Sequence, residues 1–222
     1  MANFKTKVLN VKPVTHNVRQ FTVEKPANFQ FVPGQATDLS VLKDGWENEK
    51  RPFTFTSLPD NERLQFTIKI YNDHDGVTHQ LGMIKENDAF EISDAWGAIE
   101  YKGEGIFIAG GAGVTPFIAI FRYLNKKDEI KSNKLIFSNK TDKDIILFDE
   151  FKAMLGSNFI NVITDQPDTK FLKGRIDKTF LENNISDFTQ HFYVCGPDAF
   201  TKDILKALEE LNANPEALVF EK

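Results

Sequence analysis

The sequence predicts a two-domain chain, an antiparallel β-barrel followed by an α/β domain on a parallel sheet. Three observations predict it. From Phe4 to about Tyr101, apolar and polar residues alternate in short runs separated by Gly, Pro, Asn and Asp, the period-two pattern of half-buried strands. From Gly105 onward, compact apolar runs alternate with longer stretches of helical spacing, the order of a parallel sheet covered by helices. Between them, Tyr101-Lys102-Gly103-Glu104 reads as a polar joint with a glycine. The expected domains are residues 1–101 and 105–222.

The barrel strands are expected in VRQFTVE (Val18 to Glu24), ATDLSVL (Ala36 to Leu42), RPFTFTS (Arg51 to Ser57) and RLQFTIKIY (Arg63 to Tyr71). Several such strands within about 100 residues suit a small barrel. In RPFTFTS, the alternation puts Thr54 and Thr56 on one face and Phe53 and Phe55 on the other. Such a hydroxyl face can hydrogen-bond a flat heteroaromatic ligand, although an exposed Thr face on a half-buried strand is the commoner arrangement. Gly76-Val77-Thr78-His79-Gln80-Leu81 then opens a helix whose N-terminus can face an anion.

The second domain begins with the strand Ile106 to Ala109 and the turn Gly110-Gly111-Ala112-Gly113. That turn falls at the carboxyl edge of the sheet, where open α/β sheets bind ligands. Thr115 suits an N-cap and Pro116 a first helical residue. Gly111 and Gly113 let an anion reach the backbone at the positive end of the helix. Further strands are expected in KLIFS (Lys134 to Ser138), FINVIT (Phe159 to Thr164) and HFYVC (His191 to Cys195), and a helix in AFTKDILKALEEL (Ala199 to Leu211). Val194-Cys195-Gly196-Pro197-Asp198 is a second glycine turn on the same edge, and two such turns on neighbouring strands flank one crevice. Taken alone, Cys195 reads as a small buried apolar residue.

Composition narrows the classes. With 222 residues, 27% charged and 41% hydrophobic, the chain is globular rather than disordered or fibrous. The net charge of −5 and the absence of a basic stripe argue against nucleic acid. No apolar run approaches the roughly 18 residues a membrane helix needs. The N-terminus lacks a signal-peptide core and the single cysteine forms no intrachain disulfide, so the expectation is a cytoplasmic monomer with no metal site. Arginine is confined to Arg19, Arg51, Arg63, Arg122 and Arg175. A guanidinium is the fork that grips two acceptors at once, so each of the five is a candidate for a special task.

The order RPFTFTS, GVTHQL, GGAGVTP, VCGPDAF resembles the ferredoxin–NADP reductase superfamily, whose members join a flavin-binding barrel to a nicotinamide-binding α/β domain. The resemblance covers almost the whole chain, and Phe31-Val32-Pro33-Gly34-Gln35 matches the family's turn before a barrel strand. It implies FAD as cofactor and NADH or NADPH as electron donor. Arg51 would bind the flavin phosphate, with Pro52 beside it. Phe53 stands for the usual tyrosine, Thr54 would sit at the flavin N5, and Ser57 closes the pattern. Lys69, Ile70 and Tyr71 would line the flavin, and Gly76, Val77 and Thr78 would hold the pyrophosphate. Asp94-Ala95-Trp96-Gly97 departs from the Gly-Pro-x-Gly of many relatives.

On the nicotinamide side the resemblance falls on Gly111, Gly113, Thr115 and Pro116, and on Cys195, Gly196 and Pro197. It accounts for proline where a dinucleotide fingerprint has its third glycine. Thr115 and Cys195 would lie by the nicotinamide, the thiol placing the ring rather than attacking it. Phe220 or Glu221 would approach the flavin, making Thr54, Cys195 and Glu221 the residues tied to the reaction. Ser138 lies where relatives choose between a 2′-phosphate and a 2′-hydroxyl. The absence of arginine from Phe137 to Thr141 favours NADH.

The implied activity is an NAD(P)H oxidoreductase that reduces FAD and passes electrons to flavodoxin, ferredoxin or a haem protein. A single cysteine cannot ligate a four-cysteine cluster within these residues. A free-flavin reductase and a non-catalytic regulatory flavoprotein are the alternatives.

Overall fold

A computed structural model of the chain describes residues 2–73, 75–97 and 99–220. The chain divides into two compact units, one of Met1–Glu100 with Thr115–Tyr123, the other of Tyr101–Val114 with Leu124–Lys222.

The first unit holds β1 (Asn3–Thr15), β2 (Val18–Glu24), β3 (Ala36–Val41), β4 (Arg51–Thr54), β5 (Arg63–Lys69), the short helix α1 (Val77–Gly82) and β6 (Ala89–Ser93). The strands are antiparallel in the order β4-β3-β6-β1-β2-β5. The two ends of that order meet through a Phe55–Phe66 bridge and through the Thr56 N–H, which donates to the Gln65 carbonyl at 2.7 Å. The sheet is thus a nearly closed barrel, which leaves few edge groups unpaired. Alternation in the sequence becomes inside and outside here. Phe21, Val23, Phe55, Leu64 and Phe66 are fully buried in the core. The Phe31 and Phe55 rings lie 4.4 Å apart and Phe55 and Phe66 5.3 Å, each pair adding about 0.5–1.5 kcal/mol beyond its area burial.

Two strand ends differ from expectation for one reason, a change of hydrogen-bonding partner. β4 pairs with β3 as far as Thr54 opposite Ala36. The Phe55 N–H then turns to the Gln35 carbonyl at 3.0 Å and Thr56 to Gln65, so RPFTFTS is a strand that switches neighbours rather than one ladder. Likewise β5 stops at Lys69, where the Ile70 N–H donates to the Asn17 carbonyl at 2.8 Å.

The second sheet comprises β7 (Gly105–Gly110), β8 (Lys134–Asn139), β9 (Phe159–Ile163), β10 (Leu172–Lys173), β11 (His191–Cys195) and β12 (Leu218–Phe220). Its order is β10-β9-β8-β7-β11-β12, parallel throughout. The chain also forms α2 (Thr115–Lys126), α3 (Phe148–Leu155), α4 (Lys178–Asn184) and α5 (Asp198–Glu210). Ile204, Ala207 and Leu208 of α5 share a helical face and are buried with Ile106, Ile108, Phe192 and Val194 of the sheet. β10 is a pair of exposed residues at the sheet edge, too short to show a period in the sequence. None of the helices among the described residues is long and apolar enough to cross a membrane.

The joint of the sequence is held inside the second unit. The Tyr193 hydroxyl accepts from the Lys102 N–H at 2.8 Å and the Gly103 N–H at 3.1 Å, and donates to the Gly103 carbonyl at 2.8 Å. Its ring is fully buried and stacks on Phe107 at 4.1 Å. Burial pushes the phenol up to about 12, against the smaller opposing pull of the two N–H donors.

Candidate functional site

In the parallel sheet, β7 is followed in space by β8 on one side and β11 on the other. The direction of winding reverses there, and the crevice outside the carboxyl ends of strands at such a switch point is where open α/β sheets take ligands. Both glycine turns stand at that place. Ala109 and Cys195, the residues before the turns, are partners in the β7–β11 ladder, so the expectation of neighbouring turns on one edge holds.

The glycines do different work. Gly111 has φ +52°, and a side chain there would meet nothing within 4 Å. It supplies the left-handed turn that other residues resist and leaves its own backbone open to an approaching group. Gly113 is closed in: a Cβ would lie 2.3 Å from the Cys195 carbonyl oxygen and 2.5 Å from the Gly196 nitrogen. Gly196 is similarly confined by the Phe200 ring, 2.6 Å from its would-be Cβ. Gly113 lets the two turns pack backbone to backbone, Gly196 makes room for the Phe200 ring, and Gly111 stands in open space. Cys195 is buried at 8% exposure at the end of β11. Pro197 is exposed at the N-cap of α5 and is followed by Asp198 in the first turn, whereas α2 has no acid in its first turn. An anion is therefore better received ahead of α2 than ahead of α5.

One expectation is corrected. Gly111–Val114 forms a 3₁₀ turn that runs directly into α2, so Thr115 is the first α-helical residue rather than a separate N-cap, with Pro116 buried behind it. The 3₁₀ turn satisfies the backbone that a cap would otherwise serve. Ser138 pairs with Gly110 in the β7–β8 ladder and is half-buried beside the turn. Phe220 ends β12 opposite Val194, half-buried and packed against the core of this unit. Glu221 lies outside the described residues.

In the barrel unit, Arg51 is exposed at the start of β4, its guanidinium donating to the Lys50 carbonyl at 2.7 Å and lying 3.5 Å from the Glu49 carboxylate. Pro52 is exposed, while Phe53 is half-buried and packs against the barrel core. Thr54 is half-buried on the face it shares with Thr56. Thr56 itself is committed: it is fully buried, its hydroxyl 3.1 Å from that of Thr67. Ser57 accepts from the Gln65 N–H at 3.1 Å and is 6% exposed. On the hydroxyl face Thr56 thus braces the barrel closure, as does Ser57 from the other side of the chain.

Lys69 ends β5 with its ammonium 5.8 Å from the centre of the Tyr71 ring, which is 43% exposed, while Ile70 is buried. Gly76, in extended conformation, is the N-cap of α1, which has neither a side-chain cap nor an acid in its first turn. Val77 and Leu81 pin that helix to the core and Thr78 is half-buried.

Sequence reasoning missed a buried polar layer on the outside of the barrel. Gln20, Thr56 and Thr67 are at most 4% exposed, and the Gln20 amide reaches the Thr67 hydroxyl at 3.5 Å. Arg122, in the part of α2 that belongs to this unit, donates to the Thr56 carbonyl at 2.6 Å and the Gln65 side-chain oxygen at 2.7 Å. The scarcity of arginine was the available signal.

Comparison with known proteins agrees with this layout. An FAD-binding domain model matches residues 3–95 and an oxidoreductase NAD-binding domain model matches residues 107–206. The chain is 21% identical over 215 residues to the electron transfer component of 2-halobenzoate 1,2-dioxygenase from Burkholderia cepacia, covering 91% of this chain and 62% of that protein, so it spans less than two thirds of that relative. It is 29% identical over 219 residues to NADH-cytochrome b5 reductase 2-B of Vanderwaltozyma polyspora, covering 88% of this chain and 70% of that one. The crystal structure of a ferredoxin NADP+ reductase from Neisseria gonorrhoeae with bound FAD and NADP shares the fold at TM-score 0.86 and 19% identity, covering 100% of this chain and 98% of that one.

The residues present fit these two groups. The open backbone at Gly111 and the acid-free start of α2 suit a pyrophosphate. The exposed Arg51 guanidinium, the uncapped start of α1 and the exposed Tyr71 ring suit a phosphate and a flat ring system.

Proposed function

From the premise that this chain is a member of the ferredoxin–NADP reductase superfamily, with an FAD-binding and a NAD-binding domain, we propose that it is an FAD-dependent NAD(P)H reductase serving a small redox protein. The observation that carries this is the order and extent of the two domains, with a glycine turn at the switch point of the second sheet. When bound, the reduced nicotinamide would supply a hydride and the flavin would accept it and release the two electrons to an acceptor.

The chain's own task is to hold and orient. In this reading Arg51, Thr78 and the start of α1 bind the flavin phosphates, and Thr54 offers its hydroxyl at N5. Lys69 and Tyr71 line the ring. Gly111 exposes backbone to the pyrophosphate of the dinucleotide, while Thr115 and the Cys195 thiol place the nicotinamide. NADH is the proposed donor. The segment after β8 holds no arginine, and Thr141 is engaged by the Asp144 carboxylate at 2.7 Å, an acid that disfavours a 2′-phosphate there. The relatives' names point to the acceptor class, since one serves a dioxygenase and the other is a cytochrome b5 reductase.

The test is an absorbance spectrum of the purified protein before and after anaerobic NADH or NADPH, with the released flavin identified by chromatography. Bound FAD that bleaches faster with NADH supports the proposal. A colourless protein that oxidises NADH only with added flavin makes it a free-flavin reductase. Bound flavin that neither donor bleaches leaves the non-catalytic reading.

A further inference from the structure

Among the described residues, Arg122 is the one arginine whose guanidinium is seen tied into the buried polar layer of the barrel. Its Nη1 donates to two acceptors at once, the Thr56 carbonyl and the Gln65 side-chain oxygen. Gln65 is also the residue whose backbone carbonyl receives the Thr56 N–H and whose N–H is received by Ser57. Thr56 is fixed a third time by the Thr67 hydroxyl. The stretch just after Thr54 is therefore held at its backbone N–H, its carbonyl and its side chain.

The other end of the arginine matters as much. Arg122 stands seven residues after Thr115 on α2, and at 3.6 residues per turn those two positions share a helix face about 10 Å apart along the axis. Thr54 and Thr56 are likewise on one face of an extended segment. Thr115, Arg122, Thr54 and Thr56 all belong to the first unit. A single side chain thus joins the helix face that begins with Thr115 to the backbone of the segment that carries Thr54, two residues beyond it.

We propose that Arg122 is the positioning residue that sets Thr115 against Thr54, and so sets the hydride donor against its acceptor. This rests on the reading above, in which Thr115 contacts the nicotinamide and Thr54 the flavin N5. Both acceptors are held by Nη1, whose two N–H bonds lie in the guanidinium plane, so the pair fixes the orientation of that plane, which a freely rotating ammonium does not do. Reaction rates are steep in such placement, because an error of about 1 Å between reacting atoms costs on the order of 100-fold.

The experiment compares wild type with Arg122→Lys, Arg122→Gln and Gln65→Ala, the last removing one acceptor without touching the helix. Four quantities are read: melting temperature, FAD affinity of the apoprotein, amide exchange at Phe55 and Thr56, and anaerobic flavin reduction by NADH and by 4-deuterated NADH. The expected result is FAD affinity close to wild type in all three, with faster exchange at Phe55 and Thr56. Flavin reduction should slow by about 10- to 100-fold in Arg122→Gln, less in Gln65→Ala, with partial recovery in Arg122→Lys. The deuterium isotope effect should rise as the donor distance grows. Variants that melt earlier yet reduce flavin at the wild-type rate with an unchanged isotope effect would make Arg122 a stability brace and overturn the proposal. A wild-type protein that binds no flavin, or whose flavin NADH does not bleach, overturns the reductase reading first and this inference with it.

Discussion

The barrel unit and the parallel-sheet unit meet the same demand, a surface for a phosphate-bearing cofactor, by opposite means. In the barrel, the motif residues are side chains, and several turn inward to serve the fold: Thr56 bonds Thr67, Ser57 bonds Gln65, and Phe55 fills the core. In the sheet unit, the motif is made by side chains that are missing. Gly113 lets two backbones pack, Gly196 admits the Phe200 ring and Gly111 leaves its backbone open. A hydroxyl-rich motif therefore mixes ligand and structural roles residue by residue, whereas a glycine-rich motif separates them by the space around each Cα.

The largest effect that would break this comparison lies in the glycine turn. Gly113→Ala puts a methyl group 2.3 Å from the Cys195 carbonyl, a backbone atom with no rotamer to yield. We expect a loss of about 3 kcal/mol, at the upper end of overpacking costs, with dinucleotide binding lost as the turns separate. Gly111→Ala meets no atom and carries only the left-handed penalty of about 1–2 kcal/mol. Chemical denaturation of the pair checks this. Equal losses would mean that both glycines serve backbone conformation and that the close packing of the turns is incidental.

Tyr193 gives a second, smaller effect confined to the sheet unit. Tyr193→Phe leaves the Lys102 and Gly103 N–H groups without their acceptor, both in part-buried bonds, a cost of about 1 kcal/mol, that of an ordinary hydrogen bond. The phenol is raised from 10.0 to about 12 in the folded protein, so the folded state keeps the proton over a range where the unfolded chain has released it. The stability linked to this group is full below pH 10 and is lost as pH climbs toward 12. Denaturation at pH 9 and pH 11 should show that decline in wild type, with a shallower one in the Phe variant. Parallel declines would detach the hydroxyl from the joint.

How much was legible in the sequence follows the same division. The antiparallel first sheet, the parallel second sheet and the placing of both glycine turns at neighbouring strand ends could be read, because period and turn chemistry are local. The switch of β4 from β3 to β5 could not, since Phe55 and Thr56 continue the alternation unbroken while their hydrogen bonds pass to Gln35 and Gln65. Nor could the assignment of Thr115–Tyr123 to the barrel unit, because a helix carries no mark of which neighbour it packs on. Arg122 was visible as a rare residue and its partners were not. Phe220 was visible only through the resemblance; its register beside Val194 and its half-buried packing against the core of the sheet unit carry no period in so short a strand.

The smallest effect is the one that divides the barrel motif most finely. Thr54 and Thr56 are two residues apart on one face, yet Thr56 is fully buried with a hydroxyl partner and Thr54 is half-buried. Thr56→Val keeps the shape, removes one hydrogen bond and leaves the Thr67 hydroxyl its contact with the Gln20 amide. A loss of about 1 kcal/mol is expected, with FAD content unchanged. Thr54→Val should leave stability within about 0.5 kcal/mol, as for a substitution outside the core. It should slow flavin reduction by about tenfold, the worth of one hydrogen bond of about 1.4 kcal/mol made in the transition state. Melting curves beside stopped-flow reduction separate the two residues. If Thr56→Val slowed reduction as much as Thr54→Val while both melted alike, the face would act as a unit, and the division between bracing and cofactor-facing hydroxyls would fall.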